Sequence, residues 1–402
     1  MKLLLSVASV LVAAVHSATL SAAEPVDGSS GPNIAARSPF SNCRIRFERE
    51  KLGHVAFIGG SITEMNGYRP MVCEFLQERF PQTEFKFTDA GISSTCSTTG
   101  AFRLASDVLS KGPVDLFFVE FAVNDDQDAM HARRECIRGL EGIIRHCRQH
   151  NPHSDIVVTY FVNPSMLETL QDGKQPLSIA AHAEVAEHYG VSTIHLAGEV
   201  AQRISAGTLT WEVYGGTHPK PAGNRICADM IGSMLTTAWS QPLPADARQQ
   251  SRPLPEKPLE ENSYSSGRFI DPSQAEVVRG WSLGVPDWKR LPGSKRGRFT
   301  ELPMLEAVEP GSEVTLKFTG RAIGAYVVAG PDAGIVEASL DGGPFSKHDL
   351  FHRFSKGLHY PRTVMFNADL SPGEHTLRLR ISDDHNPEST GTAARIMQFC
   401  VN

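Results

Sequence analysis

The sequence predicts an α/β fold, a doubly wound parallel sheet over residues 45–240, followed by an all-β sandwich over 263–402. Three observations carry this. Up to residue 240, short β-branched or aromatic runs alternate with longer helical stretches. Beyond 263 the apolar runs shorten, alternate strictly and follow one another across turn signals. Between the two lies 241–262, rich in Pro, Gln and charge and without apolar periodicity, which reads as a linker. Strand–helix alternation implies parallel strands with helices on both faces. Right-handed crossovers make such a sheet doubly wound.

In order along the chain, Met1-Lys2 precedes the uncharged apolar run Leu3 to Val15, and Ser21-Ala22-Ala23 follows. This is the pattern of a secretory signal peptide over 1–23, so a secreted or periplasmic protein is expected. No later apolar run reaches the about 20 residues a membrane span needs. No Cys before Cys43 offers a lipid-attachment site. Residues 24–44 read as an exposed leader.

Strands are expected at His54–Gly59, Glu84–Asp89, Val114–Phe121, Asp155–Val162 and Ser192–Leu196. Helices are expected near 68–80, 100–111, 131–150, 177–189, 197–206 and 221–239. In the second part, strands are expected at Glu313–Thr319, Ala325–Ala329, Val336–Leu340, Arg362–Phe366, Thr376–Ile381 and Arg395–Val401. Turns at Gly330-Pro331-Asp332-Ala333-Gly334, Asp341-Gly342-Gly343 and Ser371-Pro372-Gly373-Glu374 separate them, the profile of an antiparallel sandwich.

The chain of 402 residues carries 39 Lys and Arg against 45 Asp and Glu, a net charge of −6. A nucleic-acid binder would carry a basic excess instead. No GxGxxG or GxxxxGK[ST] stands behind nucleotide binding. Seven Cys is an odd number, so at least one is free or paired between chains. Cys136 and Cys147 share one expected helix about 16 Å apart and cannot bridge. Cys73, Cys136 and Cys227 fall at apolar helix positions that suit buried thiols. No CxxC or ligand-spaced Cys/His cluster supports zinc, and no metal or cofactor is expected. Asn124-Asp125-Asp126-Gln127-Asp128 starts like a calcium loop but lacks its Gly and its closing Glu, so it reads as a solvated acidic loop.

In an open parallel sheet, ligands bind beyond the carboxyl ends of the strands. After the first strand comes Gly59-Gly60-Ser61-Ile62-Thr63. After the second come Ala90-Gly91-Ile92, and after the third Ala122-Val123-Asn124-Asp125. His218 precedes the last helix and can return to the same rim. Singly, these residues fit helix caps, turns and a loop His-Pro. Together they supply what acyl transfer needs. Ser61 is the nucleophile, His218 a base near neutral pH, and the backbone N–H groups of Ser61 and Gly91 with the Asn124 amide are oxyanion donors.

On those four residues the chain resembles the SGNH or GDSL hydrolase superfamily. Gly-Gly-Ser-Ile-Thr stands for Gly-Asp-Ser-Leu, and the blocks follow in the family's order over 45–240. The resemblance implies a flavodoxin-like sheet and ester hydrolysis without a cofactor. One position departs. The family's His-orienting Asp, three residues before the His, is Gly215 here. Glu212 can swing in, a backbone carbonyl can hold the imidazole in a Ser–His dyad, or an acid from elsewhere, including the second domain, can take over.

The C-terminal part resembles β-sandwich modules beside secreted carbohydrate esterases, on Phe318–Gly324 and Leu370–Leu377. Its loop Asp349–Tyr360 gathers His352, Arg353, His359 and Tyr360, groups suited to sugar rings and acidic sugars, or alternatively to inter-domain packing. The leading expectation is a secreted serine esterase removing acetyl or other short acyl groups from a carbohydrate. A lipid or thioester acylhydrolase, which needs a long apolar channel, and a glycan-binding protein with an impaired catalytic domain are the alternatives.

Overall fold

The computed structural model describes residues 31–252 and 254–402; the expected signal peptide lies outside the described residues. Seventeen strands and eleven α-helices are assigned among them. In the N-terminal part the strands are β1 (Ile34–Ala35), β2 (Leu52–Gly59), β3 (Glu84–Gly91), β4 (Leu116–Glu120), β5 (Asp155–Thr159) and β6 (Ser192–Ile194). The helices are α1 (Ser41–Ile45), α2 (Ser61–Glu64), α3 (Tyr68–Arg79), α4 (Ser97–Asp107), α5 (Arg133–His150), α6 (Pro164–Gln171), α7 (Leu177–His188), α8 (Leu196–Ser205), α9 (Trp211–Tyr214) and α10 (Pro221–Ala238).

The sheet order is β1-β6-β5-β4-β2-β3. The strands β2 to β6 pair in parallel. Counted along the chain, these five run 2-1-3-4-5, the flavodoxin-like order. The central strands β4 and β5 are buried on both faces, which is why they read as continuous apolar runs, whereas the edge strand β3 alternates. Phe57 and Phe118, on neighbouring strands, stack with centroids 4.8 Å apart at the middle of this core.

The expected exposed leader is corrected over its described part. Ile34 and Ala35 pair antiparallel with β6 and cover its edge. Phe40, Asn42 and Cys43 are fully buried. The expected linker is likewise packed rather than free. Asn42 exchanges side-chain hydrogen bonds with Gln250 N and O at 2.8 and 2.7 Å. Leu254 and Leu259 rest on the core. Leu259 N and Glu260 N both donate to the buried Glu141 carboxylate, at 2.7 and 2.9 Å. Such a segment needs no apolar period, because its hold comes from polar groups satisfied one at a time.

Asp155, at the head of β5, gathers these pieces. Its fully buried carboxylate accepts from Ser38 Oγ at 3.0 Å, Cys43 N at 3.1 Å and the Arg252 guanidinium at 2.6 Å.

The C-terminal part holds β7 (Arg268–Ile270), β8 (Glu276–Arg279), β9 (Ser282–Gly284), α11 (Gly297–Thr300), β10 (Met304–Ala307), β11 (Glu313–Gly320), β12 (Ile323–Ala329), β13 (Ile335–Leu340), β14 (Ser346–Asp349), β15 (Tyr360–Asn367), β16 (Gly373–Ile381) and β17 (Ala394–Val401). They form two antiparallel sheets, β15-β12-β17-β10-β9 with β7 beside β17, and β14-β13-β16-β11-β8. Leu316, Phe318, Val327, Leu379 and Phe399 belong to the core between them. The six expected strands are present as β11, β12, β13, β15, β16 and β17. The sandwich face toward the N-terminal part contributes Phe299, Tyr326, Met397 and Cys400 to the other core, so one apolar cluster runs through both parts. All seven cysteines are free. No helix among the described residues is long and apolar enough to cross a membrane.

Removing one partner of a buried ion pair strands the other. Arg252→Ala is therefore expected to lower unfolding stability by about 3 kcal/mol, read as a fall in the urea midpoint. An unchanged midpoint would mean that 241–262 contributes nothing to the fold.

Candidate active site

Three strands end in register. Gly59 of β2 faces Gly91 of β3 on one side and Glu120 of β4 on the other. The residues following these ends therefore converge on one rim. Ser61 opens α2, so its N–H has no partner within the helix. Ser61 Oγ lies 2.7 Å from His218 Nε2, across 157 residues of sequence. Asn124 is buried beside them: a side chain on Gly60 would strike its amide at 2.0 Å. The Asn124 Nδ2 donates to Asp128 Oδ2 at 2.6 Å. An amide nitrogen carries two hydrogens, so one remains beyond that bond.

The structure gives the other expected members different partners. Gly91 does lie at the rim, where its backbone runs so close to α2 that a Cβ would come within 2.3 Å of Glu64 N. Its N–H, however, donates to Asp89 Oδ1 at 2.9 Å. Glu212 is exposed on α9, and among the described residues no carboxylate is hydrogen-bonded to His218. Its main-chain carbonyl accepts from Lys220 Nζ at 3.3 Å instead. Gly215 explains why the family's Asp is missing. Its φ is +113°, and a Cβ there would lie 2.2 Å from Lys220 N. The arrangement is a Ser61–His218 pair.

The acidic loop is not solvated. It forms a π-turn, Asn124–Asp128, in which Asp125 is fully buried and Asp128 nearly so. Asp125 caps α4 through Ser97 N and Oγ at 2.8 and 2.7 Å, and accepts from His182 Nε2 at 2.9 Å. Burial raises the Asp128 carboxyl above the ordinary Asp value, against the hydrogen bond from Asn124.

The loop after β14 reaches this turn from the other domain. The His352 ring donates through Nε2 to Asp128 O at 2.8 Å. A carbonyl only accepts, so Nε2 carries the ring proton. Burial lowers the His352 pKa to about 4, which keeps the ring neutral. It stacks on Tyr360 with centroids 4.3 Å apart. Arg353 donates to Gln127 O and lies over the Phe354 ring. His352, Arg353 and Tyr360 thus brace the Asn124 turn. His359 is elsewhere: it is buried against Trp288 and bonded to Pro292 O at 2.9 Å.

Four supports were missed. Arg103 is buried and donates to Gly59 O at 2.9 Å and Ala90 O at 2.6 Å, tying two strand ends. Arg296 donates to Ser93 O at 2.7 Å, and Arg298 to Gly91 O at 3.2 Å. These two flank Gly297 in the basic run Lys295–Arg298, the one signal that could have marked them. Glu120 lies fully buried beneath the Gly60–Ser61 turn, accepting from Thr63 Oγ1 at 3.3 Å. Burial pushes its pKa up to about 8.

Residues 57–226 match the model of the GDSL-like lipase/acylhydrolase family. These residues form a GDSL-like acylhydrolase domain. By class the chain is a carboxylic ester hydrolase. A crystal structure of a two-domain esterase active on acetylated mannans, co-crystallised with mannopentaose, is similar over both parts. The likeness covers 92% of this chain and 96% of that one, with 20% identity and a TM-score of 0.72. A second crystal structure of a two-domain esterase active on acetylated mannans gives the same TM-score of 0.72 and is covered to 97%. At that identity the likeness is one of fold. An acetylxylan esterase from Geobacillus stearothermophilus covers 46% of this chain, with 17% identity and a TM-score of 0.36. No curated protein matches the chain.

A cavity of about 670 Å³ lies between the acylhydrolase domain and the β domain, lined by Ile92, Phe269, Phe299, Leu302, Tyr326 and Met397 among others. None of Ser61, Gly91, Asn124 and His218 lines it.

Gly215→Asp installs the family's carboxylate in a backbone that rejects it. A strained non-Gly residue costs about 1–3 kcal/mol, so lower stability and at least about a tenfold loss of ester turnover are expected. A rise in kcat would instead show that His218 lacks an acid. Glu120 binds its proton more tightly folded than unfolded. Its stabilising contribution is fully present below the ordinary 4.5 and is lost as pH rises through about 8. Urea unfolding across that window should show stability falling with pH, and the slope should flatten in Glu120→Gln.

Proposed function

We propose that the protein is an exported serine esterase that removes acetyl or other short acyl groups from a carbohydrate. The observation that carries the reading is the 2.7 Å contact between Ser61 Oγ and His218 Nε2 at the carboxyl ends of a parallel sheet. In the proposed reaction His218 takes the Ser61 proton as Oγ attacks the ester carbonyl. The oxyanion rests on the Ser61 N–H and the Asn124 amide. Gly91 N–H joins them when it releases Asp89. The protonated His218 then gives its proton to the departing sugar hydroxyl, and water, deprotonated by the same imidazole, releases the acid from Ser61.

No acid is needed beside His218 in this scheme. Ser61–His218 acts as a dyad, with the imidazole held by its loop and by Oγ. The carbohydrate part of the reading is supported by the two-domain mannan esterases of the same fold. The Met1 to Ala23 pattern supports export. The acylhydrolase domain is placed at 45–240 and the accessory β domain at 263–402. His352, Arg353 and Tyr360 serve the site by holding the turn of Asn124. Phe354, half exposed next to them, is free to meet a sugar ring.

A second reading, hydrolysis of longer acyl esters, is favoured by the apolar cavity of about 670 Å³ between the domains. Turnover of p-nitrophenyl esters of increasing chain length decides between them. Acetate is expected to be the best substrate, and Ser61→Ala should reduce kcat at least about 10⁴-fold, as loss of a nucleophile does. A preference for long chains would transfer the assignment to the second reading. Turnover that survives Ser61→Ala would end both.

A further inference from the structure

Behind the catalytic rim, three residues far apart in sequence meet. Cys96 stands at the start of α4, Asp125 follows Asn124 in the π-turn, and His131 closes the loop after that turn. A ligand atom from each lies within 4.8 Å of the other two. His131 Nδ1 is 3.5 Å from Asp125 Oδ1, and the nitrogen is buried with no hydrogen-bond partner. The backbone turns the ring inward: His131 N donates to Asp125 O at 2.9 Å. Cys96 is buried, and its Sγ has only the weak neighbour Thr99 Oγ1 at 3.6 Å. Asp125 Oδ1 already accepts from Ser97 N, which fixes the carboxylate and leaves its second lone pair directed elsewhere.

We propose that Cys96, Asp125 and His131 form a binding site for a divalent transition-metal ion of the zinc type. Thiolate, imidazole and carboxylate are the donors such an ion takes. Zn–N and Zn–O bonds of about 2.0–2.1 Å in a tetrahedron set N and O about 3.3 Å apart, close to the separation here. A +2 ion balances one thiolate and one carboxylate, with the thiol proton released to solvent on binding. The fourth position opens on a cavity of about 230 Å³ that Cys96 and His131 line together with Ser94, Glu135, His352 and Arg362. That is room for a water ligand. This site is separate from the Ser61–His218 chemistry and does not rest on the esterase reading. Its mechanical effect is on the turn it shares: an ion on Asp125 braces the segment that carries Asn124.

The test uses the full chain, stripped with a chelator and titrated with Co²⁺ and then Zn²⁺. One ion per chain is expected, with a thiolate-to-cobalt charge-transfer band that Zn²⁺ displaces. Cys96→Ser should abolish the band and His131→Gln weaken binding at least tenfold, while Ser61→Ala binds as the wild type does. No saturable binding to the wild-type chain, or a band that survives Cys96→Ser, overturns the proposal. Should Cys96→Ser fail to fold, thiol alkylation of the wild type replaces it. Zinc should slow modification of Cys96 and leave the half-buried Cys73 unaffected; equal labelling of Cys96 with and without zinc overturns the proposal as well.

Discussion

The site depends on three strands stopping level with one another, and one buried cation holds two of those ends. The Arg103 guanidinium, on α4, donates to Gly59 O and Ala90 O, carbonyls whose strands finish there. A carbonyl oxygen accepts two hydrogen bonds, and at Gly59 O the Arg103 bond adds to the one from Ile92 N at 3.0 Å. Arg103 reaches both carbonyls in the fork geometry that only a guanidinium has. Asp107, one turn along the same helix, offsets its charge at 3.1 Å. With Gly59 and Gly91 level, Gly60 and Ser61 rise over the rim, and Asn124 fits against Gly60. Glu120, the third end, lies under the same turn with its pKa pushed up to about 8 by burial.

The second domain is part of this construction. An interface between independently moving domains is usually modest and polar. Here one apolar cluster crosses it, and the polar contacts fall on the loops that matter. Arg296 and Arg298 hold the chain after β3 by its carbonyls. His352 and Arg353 hold the turn after β4 in the same way. Most of these contacts grip main chain, and Arg296 also donates to Ser94 Oγ at 2.8 Å while Arg298 pairs with Glu64 at 3.4 Å, so the β domain fixes where the loops run. The loop packs as the inter-domain alternative has it, through His352 and Tyr360, whereas Phe354 stays exposed.

The strands and helices were legible because the central parallel strands are continuously buried whereas β11 and β16 alternate, which writes two distinct periods. Ser61 and Asn124 were legible from their places after strands, and His218 from its place before the last helix. Other features left no periodic trace. The β1 strand is two residues long and earns its pairing only by lying at an open edge. The 241–262 strap is held by single polar bonds. Gly91 was placed correctly, yet no sequence pattern says that Asp89, two residues earlier, takes its N–H. The acidic run was misjudged because charge was read as exposure; Asp125 is buried because Ser97 and His182 satisfy it. The cluster of Cys96, Asp125 and His131 has no ligand spacing in the sequence, since its members come from two loops joined only in space.

The clamp on Asp155 also sets an order of assembly. Its cation, Arg252, lies 97 residues further along the chain, and the Thr99–Thr363 contact between the domains spans 264. A chain growing from its N-terminus completes β6 at Ile194 with the Asp155 carboxylate still short of its countercharge. Contacts of such separation form late, because the loop must close before they reward it. The sheet is therefore laid down first and locked afterwards, and the turn bearing Asn124 receives its last supports from residues near 350.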